Sequence, residues 1–218
     1  MSPGPRISPP APPAPRAVRV DARRRVVHVQ STALRRGQAE SRLAFLGRTF
    51  ACPVVQRVTV NARAGTAEIW LLPAAVSLSA AVAELARAIR GELSGPPAVV
   101  PRDCLDRACV TVERLGGRLV TWRVGSDRPD LLRLRHPRLR RDRLLARRLE
   151  RMLVAIPGVK EVHLTTWTAD LVVRFDQQRL DTETLLAVLQ HAVDEQAGMP
   201  LAASPLEMAN TSATLGVA

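Results

Sequence analysis

A change of hydrophobic period at residues 156–159, with the sequence IPGV, constrains the fold more than any other feature of this chain. Before it, apolar residues recur at helical spacing from Leu145 onward, and Asp142 can cap the helix N-terminus. Pro157 has no amide hydrogen to continue the helix, and Gly158 permits a sharp turn. The helix is therefore predicted to end here.

Beyond the turn the period becomes two. Val162 and Leu164 alternate with polar residues, and 171–175 alternates again after a turn near 168–170. Asp181 can cap a second helix, and alternation around Leu132 predicts a strand before the first helix. The resulting order of strand, helix, strand, strand, helix is typical of the ferredoxin-like arrangement.

The same pattern occurs 104 residues earlier in the chain. This offset carries Pro53 onto Pro157, Val58 onto Val162 and Ile69 onto Val173. Ala98 to Val100 is predicted to be the closing strand of the first copy. The sequence therefore predicts an α+β protein with two tandem ferredoxin-like (βαββαβ) domains, produced by an internal duplication whose first copy is degenerate.

Changes in composition suggest the domain boundaries. Proline-rich residues at the N-terminus predict an extended arm, and a Gly116-Gly117 turn predicts an additional hairpin between the two domains. The predicted units are an arm at 1–17, a domain at 18–100, a linker with a hairpin at 101–128, a domain at 129–197 and a tail at 198–218.

Residues 131–196 resemble a heavy-metal-associated domain. The resemblance rests on LLRLRHPRLRRD, on ARRLERMLVAIPGVKEVHLTTWTADLVVRFD and on the following LL-x-x-L helix; its most specific parts are IPGV and the hairpin that ends in Phe175-Asp176. The segment is most similar to the divergent variety that precedes the first membrane span of some P-type cation-transporting ATPases. This resemblance implies a cytoplasmic location at the inner face of a membrane. The implied partner is a membrane-embedded P-type ATPase or the anionic lipid around it, with the tail as a juxtamembrane segment.

Metal-carrying members of that family hold an ion with a C-x-x-C motif between the first strand and the first helix. The corresponding loops here, 32–37 and 136–141, contain no cysteine, so no cofactor is expected. An alternative hypothesis is a copper or zinc site formed by Cys104 and Cys109 with His136 or His28, since thiolate and imidazole suit these ions. The competing interpretation has Cys109 packed inward on a strand and Cys104 free in the linker.

Composition and motifs limit the remaining functions. The 218 residues carry a net charge of +12 with Lys160 as the only lysine, so arginine supplies nearly all the positive charge. No acid–base pair, nucleophile elbow or glycine-rich phosphate loop is evident in the sequence, and we therefore predict a non-catalytic module. Three widely spaced cysteines favour the reducing cytosol over a disulfide framework.

A run of arginines is the strongest functional feature that remains. It suits an anionic membrane surface or an acidic protein face, and it also suits phosphate contacts with RNA. A solvated surface with no ligand is the third interpretation. The predicted anion-binding residues are Arg133, Arg135, Arg138, Arg140, Arg141, Arg143, Arg147, Arg148 and Arg151.

Overall fold

A computed structural model describes residues 16–72, 77–93, 98–104 and 107–197 of the chain. In this part, four α-helices accompany two antiparallel sheets, so the predicted α+β class is confirmed. Almost all of the predicted N-terminal arm and the whole predicted tail lie outside the described residues.

The first half of the chain alternates hairpins with helices. Strands β1 and β2 pair with each other, β4 pairs with both β2 and β3, and all of these pairs are antiparallel. The elements are β1 (Ala17–Asp21), β2 (Val26–Gln30), α1 (Ala39–Ala51), β3 (Val55–Asn61), β4 (Thr66–Leu71) and α2 (Leu78–Arg90).

The second half repeats this order after two further strands, β5 and β6, which extend the first sheet. The remaining elements are β5 (Cys109–Leu115), β6 (Arg118–Val120), β7 (Arg123–Arg128), β8 (Leu131–Arg135), α3 (Arg143–Val154), β9 (Val159–Thr165), β10 (Asp170–Phe175) and α4 (Thr182–Ala197). The six-stranded sheet has the order β1-β2-β4-β3-β5-β6, and the four-stranded sheet has the order β7-β8-β10-β9.

The predicted repeat of helix, hairpin and helix is present in both halves. Adding 104 to the bounds of β3 and β4 gives the bounds of β9 and β10, and the same offset places the start of α1 on the start of α3. Asp142 caps α3 as predicted, because its Oδ1 accepts from the Leu145 amide at 2.9 Å. Gly158 adopts φ +100°, and a Cβ there would lie 3.1 Å from the Arg179 side chain, so the turn requires glycine.

The predicted closing strand is wrong, because residues 98–100 form no strand. The place beside β2 is filled by β1, and the place beside β8 is filled by β7, so each half begins with a hairpin. The Gly116-Gly117 hairpin is confirmed as β5–β6. It is more than a connection, because β5 pairs with β3 in the first sheet.

Each sheet is covered by its two helices on one face. In the second half, buried Leu132 and Leu134 of β8 meet buried Leu145 and Leu149 of α3 in one apolar core. Residues between them in β8 point to the opposite side of the sheet, since side chains alternate along a strand. No helix within the described residues has the length and apolar character needed to cross a membrane.

Candidate functional site

The predicted anion-binding arginines lie on two sides of the second sheet. Arg133 and Arg135 alternate with buried leucines of β8 and so occupy the face that the helices leave uncovered. Arg143, Arg147 and Arg151 are exposed on the outer side of α3, in the helix layer. A single flat surface cannot contact both groups at once, so the two groups must be considered separately.

Four members of the predicted set have partners within the chain. Arg135 pairs with Asp170 at 2.7 Å and Arg148 pairs with Glu195. The Arg138 guanidinium donates to the Val193 carbonyl at 3.1 Å, and Arg140 Nε donates to the Trp167 carbonyl at 2.8 Å. These arginines therefore help to hold the fold together.

The side chains of four other members make no hydrogen bond or ion pair with the part of the chain that the structure describes: Arg141, Arg143, Arg147 and Arg151. All four are exposed, and they lie within one helix and the loop before it. We call this group the docking arginines. They are accessible and close together in the chain, and their guanidinium groups have no partner among the described residues.

Exposed apolar side chains accompany the docking arginines. Leu144 in the first turn of α3 is 71% exposed and Val154 in the last turn is 67% exposed. Helical spacing places both on the same outward stripe as Arg147 and Arg151. Glu150 is the exposed acidic residue of α3, and it lies at the side of this stripe.

Two residues of the predicted metal site differ in burial. His136 is completely buried, whereas Cys109 is exposed at the start of β5 opposite Asn61, so the interpretation that Cys109 packs inward is wrong. The Cys104 side chain lies outside the described part of the structure. Among the described residues, no group of three or more metal-binding side chains is suitably placed for an ion.

His136 belongs to a buried polar cluster that the sequence did not predict. Its Nε2 lies 3.0 Å from Asp103 Oδ2, which also accepts from Arg107 at 2.7 Å and from the Thr121 hydroxyl at 2.9 Å. Gln190 of α4 accepts from the Thr121 amide at 2.9 Å. The cluster therefore joins the segment before β5 to the second sheet and to its last helix.

Charge states in this cluster follow from its burial. Burial lowers the pKa of His136 to about 4, despite the hydrogen bond with Asp103. Burial alone would raise the pKa of Asp103, but the His136 hydrogen bond and the Arg107 charge outweigh it and hold that pKa below its usual value. At neutral pH the imidazole is therefore neutral and Asp103 is a carboxylate, and His136 Nε2 lies 3.0 Å from Asp103 Oδ2 and 2.7 Å from a guanidinium nitrogen of Arg107.

The cluster does not have the geometry of a catalytic triad. In a triad the histidine uses one ring nitrogen for the acid and the other for the nucleophile. Here Thr121 Oγ1 at 3.3 Å and Asp103 Oδ2 at 3.0 Å both face Nε2 of His136. All three side chains are also buried, so a substrate cannot reach the hydroxyl. We assign the cluster a structural role.

Comparison with protein-family models, curated proteins and solved structures finds no match to this chain. The resemblance to heavy-metal-associated domains therefore remains a prediction from sequence motifs. A function has to be argued from the chemistry of the site itself.

Proposed function

We propose that this chain is a non-catalytic docking module that binds an anionic surface through the docking arginines. The context implied by the sequence resemblance is a P-type cation-transporting ATPase system. One observation carries the proposal: four exposed arginines, whose side chains have no partner among the described residues, lie on α3 and the loop before it. A membrane-embedded ATPase presents two such surfaces, its acidic cytosolic faces and the lipid head groups around it.

Electrostatics supports this role. Each arginine near an anionic leaflet contributes about 1 kcal/mol, so four of them give a useful but reversible attraction. Arginine also binds phosphate or carboxylate through two parallel hydrogen bonds, which a lysine cannot match. The net charge of +12 adds longer-range attraction that salt screens.

The fold is compatible with the proposed family. In the first sheet, β2 and β3 flank α1 in the chain and β4 lies between them, which gives the order β2-β4-β3. In the second sheet, β8 and β9 flank α3 and β10 lies between them, which gives the order β8-β10-β9. Both correspond to the 1-3-2 order of a split βαβ unit. We infer that each half is a ferredoxin-like domain in which a preceding strand takes the place of the last one.

The alternative of a metal site has less support. His136 would have to give up its contact with Asp103 and leave the interior to reach the exposed Cys109. Breaking such a buried network is costly, because it removes a hydrogen-bond partner of the buried Asp103 carboxylate. RNA binding uses the same arginines, but single-strand binders depend on several stacking aromatics, and aromatic residues form only 3% of this chain.

Co-sedimentation with lipid vesicles tests the proposal. We expect the protein to pellet with vesicles that contain phosphatidylglycerol and to remain in solution with pure phosphatidylcholine vesicles. Binding should weaken as salt rises above about 0.1 M, where the Debye length falls below about 10 Å. Equal binding to both kinds of vesicle, or binding to neither together with no binding to an acidic polypeptide, would contradict it.

A further inference from the structure

We propose that the anionic surface is a phospholipid bilayer, and that Leu144 and Trp167 insert into its head-group region beside the docking arginines. This inference rests on the proposed function and makes it more specific. Two apolar side chains would add insertion to an attraction that is otherwise purely electrostatic.

Trp167 presents an exposed indole ring. It lies in the turn between β9 and β10, with its side chain 76% exposed. Trp122 is fully buried and Trp70 is half-buried beneath Arg57. Among the described aromatic residues, Trp167 is therefore the one that presents its ring to solvent.

A hydrogen bond links this turn to the docking arginines. Arg140 Nε donates to the Trp167 carbonyl at 2.8 Å, which holds the turn against the loop directly before α3. Arg141 and Leu144 follow Arg140 within one helical turn. The Trp167 indole, the Arg141 guanidinium and the exposed Leu144 side chain are thus at the same end of the second sheet.

The chemistry of these side chains matches a bilayer interface. Indole rings prefer the head-group region, where the ring is shielded from water and the N–H still finds an acceptor. Arginine can bind phosphate while its methylene groups lie along apolar surface. The outer stripe of α3 combines the two kinds of contact, with two arginines between two exposed apolar residues: Leu144, Arg147, Arg151 and Val154.

This combination of arginines with exposed apolar side chains favours a bilayer over the other anionic partners. Helices that lie at the membrane interface have cationic residues next to exposed apolar ones, so that both the phosphate layer and the acyl boundary are contacted. One base of a single-stranded RNA could stack on Trp167, but the described residues offer no second exposed aromatic ring. A protein partner would contact Leu144 and Val154 only where its acidic face also has an apolar centre.

Tryptophan fluorescence with phosphatidylglycerol vesicles tests the insertion. We expect a blue shift on binding and quenching by brominated lipid, and both effects should disappear in W167F, which retains Trp70 and Trp122. L144S and W167S should each lower the partition coefficient about tenfold. V99S is the matched control, because Val99 is 92% exposed far from α3 in sequence, and it should bind like the wild type.

The outcomes separate this inference from the proposed function. Salt-sensitive vesicle binding without a blue shift or quenching would overturn insertion and leave electrostatic docking intact. Absence of binding to anionic vesicles would overturn the bilayer as the partner, and retention on an acidic polypeptide would then preserve docking. Quenching of Trp167 by single-stranded RNA, with no response to vesicles, would assign the surface to nucleic acid instead.

Discussion

Gly65 and Ala169 occupy the same turn position in the two halves of the chain, and both adopt a left-handed backbone, with φ of +69° and +63°. The Gly65 carbonyl accepts from the Ser31 amide at 2.9 Å, and the Ala169 carbonyl accepts from the His136 amide at 3.1 Å. The two hairpins therefore share a turn conformation although one has glycine at this position and the other has alanine.

This relationship predicts unequal effects of two reciprocal substitutions. G65A should destabilise the fold by about 2 kcal/mol, because left-handed backbone is unfavourable for alanine and the new Cβ would lie 3.0 Å from the Ser31 carbonyl oxygen. A169G loses a buried methyl group worth about 0.8 kcal/mol but relieves backbone strain of similar size, so it should be nearly neutral. Urea unfolding measures both, and equal effects would contradict the equivalence of the turns.

The buried histidine predicts loss of stability in acid. The folded-state pKa of His136 is lowered to about 4 from 6.5, so its contribution is fully present above pH 6.5 and is lost as the pH falls toward 4. The loss amounts to about 3 kcal/mol. The lowered pKa of Asp103 extends the loss to lower pH, while the raised pKa of Asp194 acts in the opposite direction.

Unfolding free energies at pH 7 and pH 4.5 check this prediction. H136N should be less stable than the wild type at pH 7 and should lose less stability between the two pH values. An equal pH dependence in the wild type and the variant would show that other groups govern acid unfolding.

The Asp103 carboxylate should be the most sensitive part of the polar cluster. D103N removes the acidic partner of Arg107, whose side chain is only 14% exposed, and loss of one partner of a buried ion pair costs roughly 3 kcal/mol. T121V removes one hydrogen bond to the same carboxylate and should cost about 1 kcal/mol. E92Q is the control, since the Arg90–Glu92 pair is exposed and should leave unfolding unchanged.

The sequence predicted those features that depend on neighbouring residues. Periodicity located α3 and the β9–β10 hairpin, and the Asp142 side chain marked the helix start. The sequence placed the closing strand of the first half at residues 98–100, but β1 and β7, which form hairpins with β2 and β8, occupy the edge positions. Alternation along a single strand does not decide which candidate strand takes the edge of a sheet.

The candidate site was predictable to a similar extent. The arginine run contains the residues of the proposed docking surface, but alternation along β8 places Arg133 on the other face from Arg147, and Arg135 and Arg148 have partners within the chain. The cluster of Asp103, His136 and Gln190 joins residues that are far apart in sequence, and no sequence motif predicts it.

Metal binding gives a further prediction. Because His136 Nε2 is engaged with Asp103, we expect no stoichiometric binding of zinc or copper(I) that depends on Cys104 and Cys109. Titration of the wild type and of C104S/C109S should give the same weak result, and both should unfold at the same temperature with and without zinc. A stoichiometric site that is lost in the double variant would support the metal-site alternative.

The most direct test of the docking surface compares two triple variants of equal charge on phosphatidylglycerol vesicles. R143Q/R147Q/R151Q removes three docking arginines, and R19Q/R23Q/R63Q removes three exposed arginines from the first half of the chain. We predict that the first variant loses most of its binding and much of its salt dependence, while the second binds nearly as well as the wild type. Equal losses in the two variants would show that net charge alone drives binding and would contradict a docking role for α3.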